Sequence, residues 1–283
     1  MVKNKKFCRF VVLLCLSLLI FSVSACGDGK EAESESLTES ESASVLQTQA
    51  PTEQPTEQED DLPKKRVAFT FDDGPHPVYT KQIADTATSH GGRVTFFVVG
   101  NMIDRSSAHA KAFLYALNAG CEVGLHSYTH LTNYDECDEK TFLSELSRTL
   151  DAARRYAPEF DCAVMRPVGG RISEAFVKAS PYAVVKWNVD TRDWERYGAT
   201  DEQTREANIK AIVDEIVKKA KDGSIILMHD LYENTAIAFE RAADILTADG
   251  YELVTVSELL GEDLQAGKVF SKGKPIEVSE TGN

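Results

Sequence analysis

The chain has 283 residues, of which 42% are hydrophobic, and its formal net charge at pH 7 is −14. That length leaves room for one large globular domain with appended segments, and the hydrophobic share is ordinary for a folded core. The acidic balance argues against a nucleic-acid partner, because proteins that bind phosphate backbones present basic surfaces.

The first 25 residues are organised like a secretory signal peptide. A basic start ending at Arg9 precedes an apolar run at residues 10–23, which is shorter than the roughly 20 residues of a membrane-spanning helix. The sequence Val23-Ser24-Ala25-Cys26 then resembles a bacterial lipobox. This resemblance implies cleavage before Cys26, lipidation of its thiol and an extracytoplasmic chain anchored to the bacterial cell membrane. An ordinary signal peptide and an uncleaved anchor are the alternatives.

Residues 26–63 are predicted to form a linker that begins at the acylated cysteine. Residues 27–63 contain eleven acidic residues and one lysine among serine, threonine, glutamine and proline. Such a segment buries too little apolar surface to offset the chain entropy lost on folding, so we expect it to be disordered. Its like charges and prolines favour an extended chain that holds the next domain away from the membrane.

Seven short apolar runs alternate with amphipathic stretches between residues 64 and 262. The runs are rich in Val, Ile and Phe and nearly continuous, which is typical of strands buried on both faces of a parallel sheet. They lie at residues 66–71, 94–99, 122–126, 163–166, 184–188, 224–228 and 251–256. The helices between them are predicted at residues 78–90, 104–119, 138–156, 172–180, 204–222 and 235–248. The alternation predicts an α/β domain, either an incomplete barrel or an open doubly wound sheet, before a polar tail at residues 263–283.

Polar clusters follow five of the predicted strands. They are Asp72-Asp73-Gly74 and residues 126–130, 166–170, 190–194 and 229–230. The carboxyl ends of parallel strands meet at one edge of a sheet, and active sites of α/β folds are built at that edge. The sequence therefore predicts that these five clusters form a single site.

Two histidines four residues apart, His126 and His130, are a candidate metal-binding pair. The spacing alone is weak evidence, because two surface or core histidines can share it. With Asp73 from the end of the first strand, the set offers two nitrogens and one carboxylate and leaves coordination positions open for water and substrate. A tight turn at Asp-Gly-Pro is the alternative explanation of the acidic cluster.

The adjacent carboxylates can serve different purposes, because neighbouring residues of an extended chain point in opposite directions. Asp73 can therefore bind a metal while Asp72 faces the attacking water. Two adjacent acids are costly unless a cation compensates them. Arg166, which is always charged, could pair with a catalytic carboxylate, although a surface ion pair is the alternative.

His229 at the end of the sixth strand is the candidate general acid, because imidazole titrates near neutrality. A carboxylate that accepts a hydrogen bond from the second ring nitrogen would hold the correct tautomer. Asp193 and Asp230 both fit that role on sequence alone.

Together the five clusters resemble the motifs of the polysaccharide deacetylases, carbohydrate esterase family 4, which share the chitooligosaccharide-deacetylase homology domain. The resemblance covers about residues 66–259. The first motif is Thr70-Phe71-Asp72-Asp73-Gly74-Pro75; the others lie at residues 126–130, 166–170, 190–194 and 227–229. The resemblance implies that the chain is a metal-dependent hydrolase of linear amides, which removes N-acetyl groups from an amino-sugar polysaccharide. We therefore predict a distorted, incomplete (β/α) barrel with about seven parallel strands.

The resemblance also implies a role for each matching residue. Asp73, His126 and His130 would bind one divalent ion, with zinc as the first choice and cobalt or another transition metal as alternatives. Asp72, paired with Arg166, would be the general base toward the attacking water.

The remaining roles concern the leaving group and the substrate groove. His229, oriented by Asp193, would protonate the leaving amine. The backbone N–H of Gly169 would help to hold the oxyanion. Trp194 and Leu227 would line the groove, with Leu227 near the acetyl methyl group.

The third motif departs from the family pattern. It reads Arg166-Pro167-Val168-Gly169-Gly170, without the aromatic residue that is common at position 169. The oxyanion role survives, because it needs only a backbone N–H, but we expect a more open groove wall and a different subsite preference.

An anchored enzyme on a linker would meet peptidoglycan first, so the N-acetylglucosamine of peptidoglycan is the expected substrate. Chitin-like oligomers, poly-N-acetylglucosamine and acetylated xylan are the alternatives. The alternative functions are an O-acetyl xylan esterase and a non-catalytic glycan-binding lipoprotein. The sequence makes no prediction of oligomeric state.

Overall fold

The computed structural model describes residues 64–131 and 133–276, the last three by their backbone only. The predictions of a signal peptide, of lipidation at Cys26 and of a linker lie outside the described residues. Within these residues, no helix combines the length and apolar character that a membrane span requires.

Ten strands and eight α-helices make up the described part of the chain. The strands are β1 Lys65–Asp72, β2 Thr95–Val99, β3 Glu122–Ser127, β4 Val164–Met165, β5 Ala183–Val185, β6 Val189–Asp190, β7 Ser224–His229, β8 Tyr251–Leu253, β9 Val269–Lys272 and β10 Lys274–Ile276. The helices are α1 Tyr79–Ser89, α2 Gly100–Ile103, α3 Ser107–Asn118, α4 Glu139–Tyr156, α5 Glu174–Ala179, α6 Glu202–Lys219, α7 Glu233–Ala248 and α8 Val256–Leu260. All seven predicted strands are present, although the last predicted run divides between β8 and α8.

β1 occupies the centre of the sheet. It pairs in parallel with β2 on one side and with β7 on the other, and its first residues also pair with β8. From β2 the parallel order continues through β3, β4 and β5. β6 is a short parallel neighbour of β7. This arrangement confirms the predicted α/β class.

β9 closes the sheet on itself. It pairs in parallel with β5 and makes one antiparallel pairing with β7, so the path from β1 through β5 and β9 returns to β1. The strands therefore curl into the predicted distorted, incomplete barrel. Eight strands, β1–β8, are parallel where about seven were predicted, and β9 bridges the remaining gap by its single antiparallel pairing with β7. The prediction of a polar tail from residue 263 is wrong for residues 269–276, which form β9 and β10. Val269 and Phe270 are buried in the sheet, but two apolar residues are too few for a period to be recognised.

Successive residues of the strands pack into two different cores. In β1, Phe69 packs in the larger core against the surrounding helices, whereas Ala68 packs inside the curled sheet with residues of β2, β4, β5, β7 and β9. Because both faces are buried, most residues in the middle of the long strands are apolar, as in the run Val67–Phe69 of β1. By the same alternation Thr70 and Asp72 point to the inside of the barrel, at its carboxyl edge.

Candidate active site

A cleft of about 480 Å³ lies at the carboxyl edge of the parallel strands. Its lining residues come from the ends of these strands and the loops that follow them. They are Asp72, Asp73, His126, His130, Val168, Gly169, Trp187, Asp190, Trp194, Leu227, His229 and Tyr232. Of the residues predicted for catalysis, metal binding and the groove, only Arg166 and Asp193 do not line the cleft, and both are fully buried. The structure thus brings the five motifs together.

Three side chains of the cleft form a candidate metal centre. Asp73 Oδ1 lies 2.9 Å from His130 Nε2 and 3.4 Å from His126 Nε2. One potential ligand atom from each of the three residues lies within 4.8 Å of the other two. Asp73 Oδ1 is buried and makes no hydrogen bond. A buried carboxylate oxygen in that state is explained by a cation that belongs there.

The spacing of these atoms is close to that around a small divalent ion. Oxygen and nitrogen ligands at about 2.0–2.2 Å from one zinc ion lie about 3.3–3.6 Å from each other in tetrahedral geometry. The 3.4 Å distance from Asp73 to His126 falls in that range, and the 2.9 Å distance from Asp73 to His130 is shorter. Two imidazoles and one carboxylate are the donor set of a catalytic site rather than of a closed structural one.

The backbone directs each of the three ligands into the cleft. Asp73 follows β1 with a φ of 74° and His130 has a φ of 60°, so both adopt the left-handed conformation that side chains rarely take outside turns. His126 Nδ1 lies 2.7 Å from the carbonyl oxygen of Arg166. This contact places the proton on Nδ1 and leaves the lone pair of Nε2 facing Asp73.

Electrostatics in the centre favour an ionised carboxylate. Burial raises the pKa of Asp73, but its contacts with His126 and His130 outweigh burial and hold that pKa well below its usual range. The same contact with Asp73 raises the pKa of His130, against the effect of burial. The carboxylate is therefore available to a cation at neutral pH, and a cation would compete with protons for the imidazoles.

Asp72 is held from inside the barrel by Arg166. The guanidinium has no exposed surface and donates from Nη1 to Asp72 Oδ1 at 2.8 Å and to Thr70 Oγ1 at 2.7 Å. Its other nitrogens donate to the carbonyl oxygens of Val185 and Lys186 at 3.1 and 3.0 Å. A buried charge is tolerated when it is paired and hydrogen-bonded on all sides, as here. Arg166 is therefore a fixed partner of Asp72 and not a surface ion pair.

His229 is oriented by Asp193. The ring atom Nδ1 lies 2.9 Å from Asp193 Oδ1, and the backbone N–H of His229 donates to Asp193 Oδ2 at 2.8 Å. Asp230, the competing candidate, instead accepts a short hydrogen bond from the hydroxyl of Thr80. Burial lowers the pKa of His229, but the carboxylate of Asp193, with Asp72 and Asp73, raises it to about 9. His229 is therefore protonated at neutral pH and can donate a proton toward the cleft.

Glu145 is a site residue that the sequence analysis missed. This buried residue of α4 accepts hydrogen bonds on Oε2 from the backbone N–H groups of Tyr128 and Thr129, at 3.0 and 2.8 Å, and from the Thr129 hydroxyl at 2.9 Å. The loop that it holds lies between the two histidines of the metal centre. In the sequence Glu145 is one of several acids on an amphipathic helix, so no local pattern marks it.

Aromatic side chains form part of the wall of the cleft. Trp194 and Leu227 line it as predicted, and Gly169 lines it with a φ of 59°. Two further aromatic residues, Trp187 and Tyr232, were not predicted. Trp187 lies between β5 and β6, inside the run predicted as the fifth strand, and Tyr232 lies three residues beyond His229. The position of Tyr232 just after a strand end is a signal that could have identified it, whereas the predicted strand concealed Trp187.

Comparison with known proteins places these motifs in context. Residues 59–185 match the family described as polysaccharide deacetylase. Peptidoglycan-N-acetylglucosamine deacetylase of Listeria monocytogenes is 32% identical over 206 residues, which are 73% of this chain and 41% of that protein. Peptidoglycan-N-acetylmuramic acid deacetylase PdaC of Bacillus subtilis is 34% identical over 207 residues, which are 72% of this chain and 41% of that protein.

A relative of more similar length is a peptidoglycan-N-acetylglucosamine deacetylase of Bacillus cereus. It is 32% identical over 207 residues, which are 70% of this chain and 89% of the relative. The solved structure of the Bacillus subtilis PdaC matches with a TM-score of 0.61 and 33% identity, and covers 69% of this chain and 89% of the solved chain. The chain thus spans less than half of the Listeria protein and of full-length PdaC.

Proposed function

Because the chain belongs to the polysaccharide deacetylase family, we propose that it hydrolyses N-acetyl groups of an amino-sugar polysaccharide and releases acetate. The observation that carries the proposal is the single cleft in which a metal-ligand set, a carboxylate paired with Arg166 and a protonated His229 face one another. The expected substrate is the N-acetylglucosamine of peptidoglycan. Support for it comes from relatives that are named as peptidoglycan deacetylases.

The side chains of the cleft have complementary tasks in this reaction. Asp72, fixed by Arg166, takes a proton from the attacking water. His229 gives its proton to the departing nitrogen and becomes neutral; Asp193 stabilises the charged ring before the transfer and holds its orientation afterwards. The backbone N–H of Gly169 helps to hold the carbonyl oxygen as it gains negative charge. No residue of the protein needs to form a covalent bond with the substrate.

Asp73, His126 and His130 would hold a divalent ion in this mechanism. When bound, the ion supplies Lewis-acid chemistry to the acetyl carbonyl and to the attacking water. We propose zinc as the native ion, because two imidazoles and a carboxylate with open positions suit it, and cobalt as a substitute.

We further propose that the chain acts outside the cell, anchored through a lipid on Cys26. The support is the lipobox-like sequence at residues 23–26 and the acidic linker that follows it. A Cys26→Ala variant should leave the membrane fraction of the host cell for the soluble fraction. Retention of this variant in the membrane would indicate an uncleaved anchor instead.

Acetate release tests the proposed activity. The purified chain is loaded with zinc or cobalt and incubated with N-acetylglucosamine oligomers, peptidoglycan and acetylated xylan. We expect metal-dependent release from an N-acetylated substrate, abolished by a chelator and reduced by about 100-fold or more in Asp72→Asn, because a general base contributes about 10²–10⁴-fold.

The other outcomes discriminate the alternatives. Release from acetylated xylan alone would identify an O-acetyl esterase. No release from any substrate by a folded, metal-loaded chain would favour a glycan-binding protein. Full activity of Asp72→Asn would contradict the role assigned to Asp72.

A further inference from the structure

We propose that Tyr197 and Tyr232 form a second sugar-binding subsite, beside the cleft that binds the N-acetylated residue. The ligand is a neighbouring sugar ring of the same glycan chain. This inference rests on the proposed function for the identity of the glycan. It does not depend on the hydrolytic step, because the subsite concerns binding.

The two tyrosines extend the wall of the cleft outwards. Tyr232 lines the cleft together with Trp194 and His229. The ring of Tyr197 stacks on that of Tyr232, with 4.7 Å between centroids and 16° between planes. Tyr197 is nevertheless 60% exposed, and Trp194, three residues earlier, is 47% exposed. Large aromatic side chains that are exposed next to a cleft indicate a binding surface rather than a part of the core.

Hydrogen bonds hold this surface in place before any ligand arrives. Asn234, which is 3% exposed, donates from Nδ2 to the carbonyl oxygens of Arg196 and Tyr197 at 2.8 and 3.4 Å. The guanidinium of Arg196 donates to the carbonyl oxygens of Thr191 and Arg192 at 2.9 and 3.0 Å. The segment that carries Tyr197 is thus tied to α7 and to its own turn. A preformed platform binds with a small ordering cost.

The chemistry of the surface suits an uncharged sugar. A pyranose ring has an apolar face of C–H groups, which packs on the face of an aromatic ring, and hydroxyl groups at its rim. A tyrosine offers an apolar face together with a phenol that donates or accepts a hydrogen bond. Asp190 lines the adjoining cleft, and its carboxylate can accept a hydrogen bond from a sugar hydroxyl group.

The dependence of affinity on glycan length tests the subsite. Dissociation constants of N-acetylglucosamine, its dimer and its tetramer are measured by calorimetry for the full chain carrying Asp72→Asn, so that turnover is minimal. We expect the tetramer to bind more tightly than the monomer. Adding Tyr197→Ala should weaken tetramer binding by about tenfold and leave monomer binding unchanged, because one stacking surface is lost.

Two variants serve as matched controls. Tyr197→Phe keeps the ring and should retain most of the tetramer affinity, whereas Val217→Ala removes another exposed apolar side chain, on α6, and should change nothing. Equal tetramer affinity with and without Tyr197→Ala would overturn the subsite. If the Tyr197→Ala variant of the chain that retains Asp72 releases acetate from the tetramer with the KM of the wild type, the subsite is rejected and the proposed activity stands. Length-dependent binding that Tyr197→Ala abolishes, with no acetate release by the metal-loaded chain that retains Asp72, would support the subsite and reject the activity.

Discussion

Asp193 has no exposed surface and is surrounded by hydrogen-bond donors. Besides the two bonds from His229, its carboxylate accepts from the hydroxyl of Thr235 at 2.7 Å. The hydroxyl of Thr191 lies 3.2 Å from Asp193 Oδ1 and donates its hydrogen mainly to the carbonyl oxygen of Leu227 at 2.9 Å. The backbone N–H of His229 and the Thr235 hydroxyl hold Oδ2, so the carboxylate stays in place whether or not His229 is charged. Its negative charge is the main reason that the pKa of His229 is raised despite burial.

The charge of Asp193 should therefore set the alkaline limit of activity. His229 acts as an acid, so activity persists below its pKa and is lost as pH rises through it. Asp193→Asn keeps the shape but removes the charge, and should move the alkaline limb of kcat/KM to lower pH by about one unit or more. The pH profile between pH 6 and 10 measures this. Glu195→Gln is the control. The carboxylate of Glu195 accepts a hydrogen bond from Arg192 and not from His229, so its removal should not move the alkaline limb of kcat/KM. The same limb in Asp193→Asn and wild type would contradict the assignment.

At the scale of elements, the metal centre depends on a helix that contributes no ligand. β3 ends at Ser127, and the two histidines of this motif are joined by a loop whose backbone N–H groups at residues 128 and 129 have no strand to bond to. Glu145 on α4 accepts both. The backbone N–H of His130 donates to the Ser127 hydroxyl at 2.8 Å, which completes the turn. The packing of α4 against β3 is therefore part of the metal site.

Removing the carboxylate of Glu145 should weaken metal binding. Glu145→Ala leaves three donors without their acceptor, and the loss of such outer partners typically costs about 10–100-fold in metal affinity. Glu145→Gln is the matched control, because its amide oxygen can still accept the hydrogen bonds from the backbone N–H groups of residues 128 and 129. Calorimetric titration of zinc into each variant measures the effect. The thermal stability of the two variants is compared with that of the wild type, so that a loss of zinc affinity is not caused by unfolding. Wild-type zinc affinity in Glu145→Ala would show that the loop needs no such support.

At the scale of the whole molecule, the last described strands complete the barrel. β9 lies between β5 and β7, and Phe270 from this strand is fully buried inside the curled sheet. The same interior holds Arg166, whose guanidinium lies 4.3 Å from the centroid of the Phe97 ring. A strand near the end of the described chain thus helps to close the compartment that supports Asp72.

Truncation of Phe270 should destabilise the entire domain. Phe270→Ala should lower the free energy of unfolding by about 3–5 kcal/mol, because a buried aromatic side chain leaves a cavity. The exposed Ile245→Ala on α7 is the control and should cost less than about 1 kcal/mol. Urea unfolding of the purified chain measures both. Similar costs for the two variants would mean that residues 269–276 contribute little to the fold.

Much of the architecture could be predicted because its signals are local. Strands buried on both faces are continuous apolar runs, and the polar residues that follow them are visible as breaks in the hydrophobic pattern. That is why the seven strands and the motif residues from Asp72 to His229 were identified. The short strands β6, β9 and β10 escaped, because each has at most two apolar residues next to polar ones and does not stand out as an apolar run.

The sequence by itself determined which residues could do chemistry and that they would meet at one edge of a parallel sheet. Only the tertiary structure decided which of them touch. It selected Asp193 over Asp230 as the partner of His229, placed Glu145 under the loop of the histidines and stacked Tyr197 on Tyr232. These contacts join residues 16 to 36 positions apart, on different elements. Spacing along the chain cannot reveal them, because the packing of helices and loops against the sheet sets their distances.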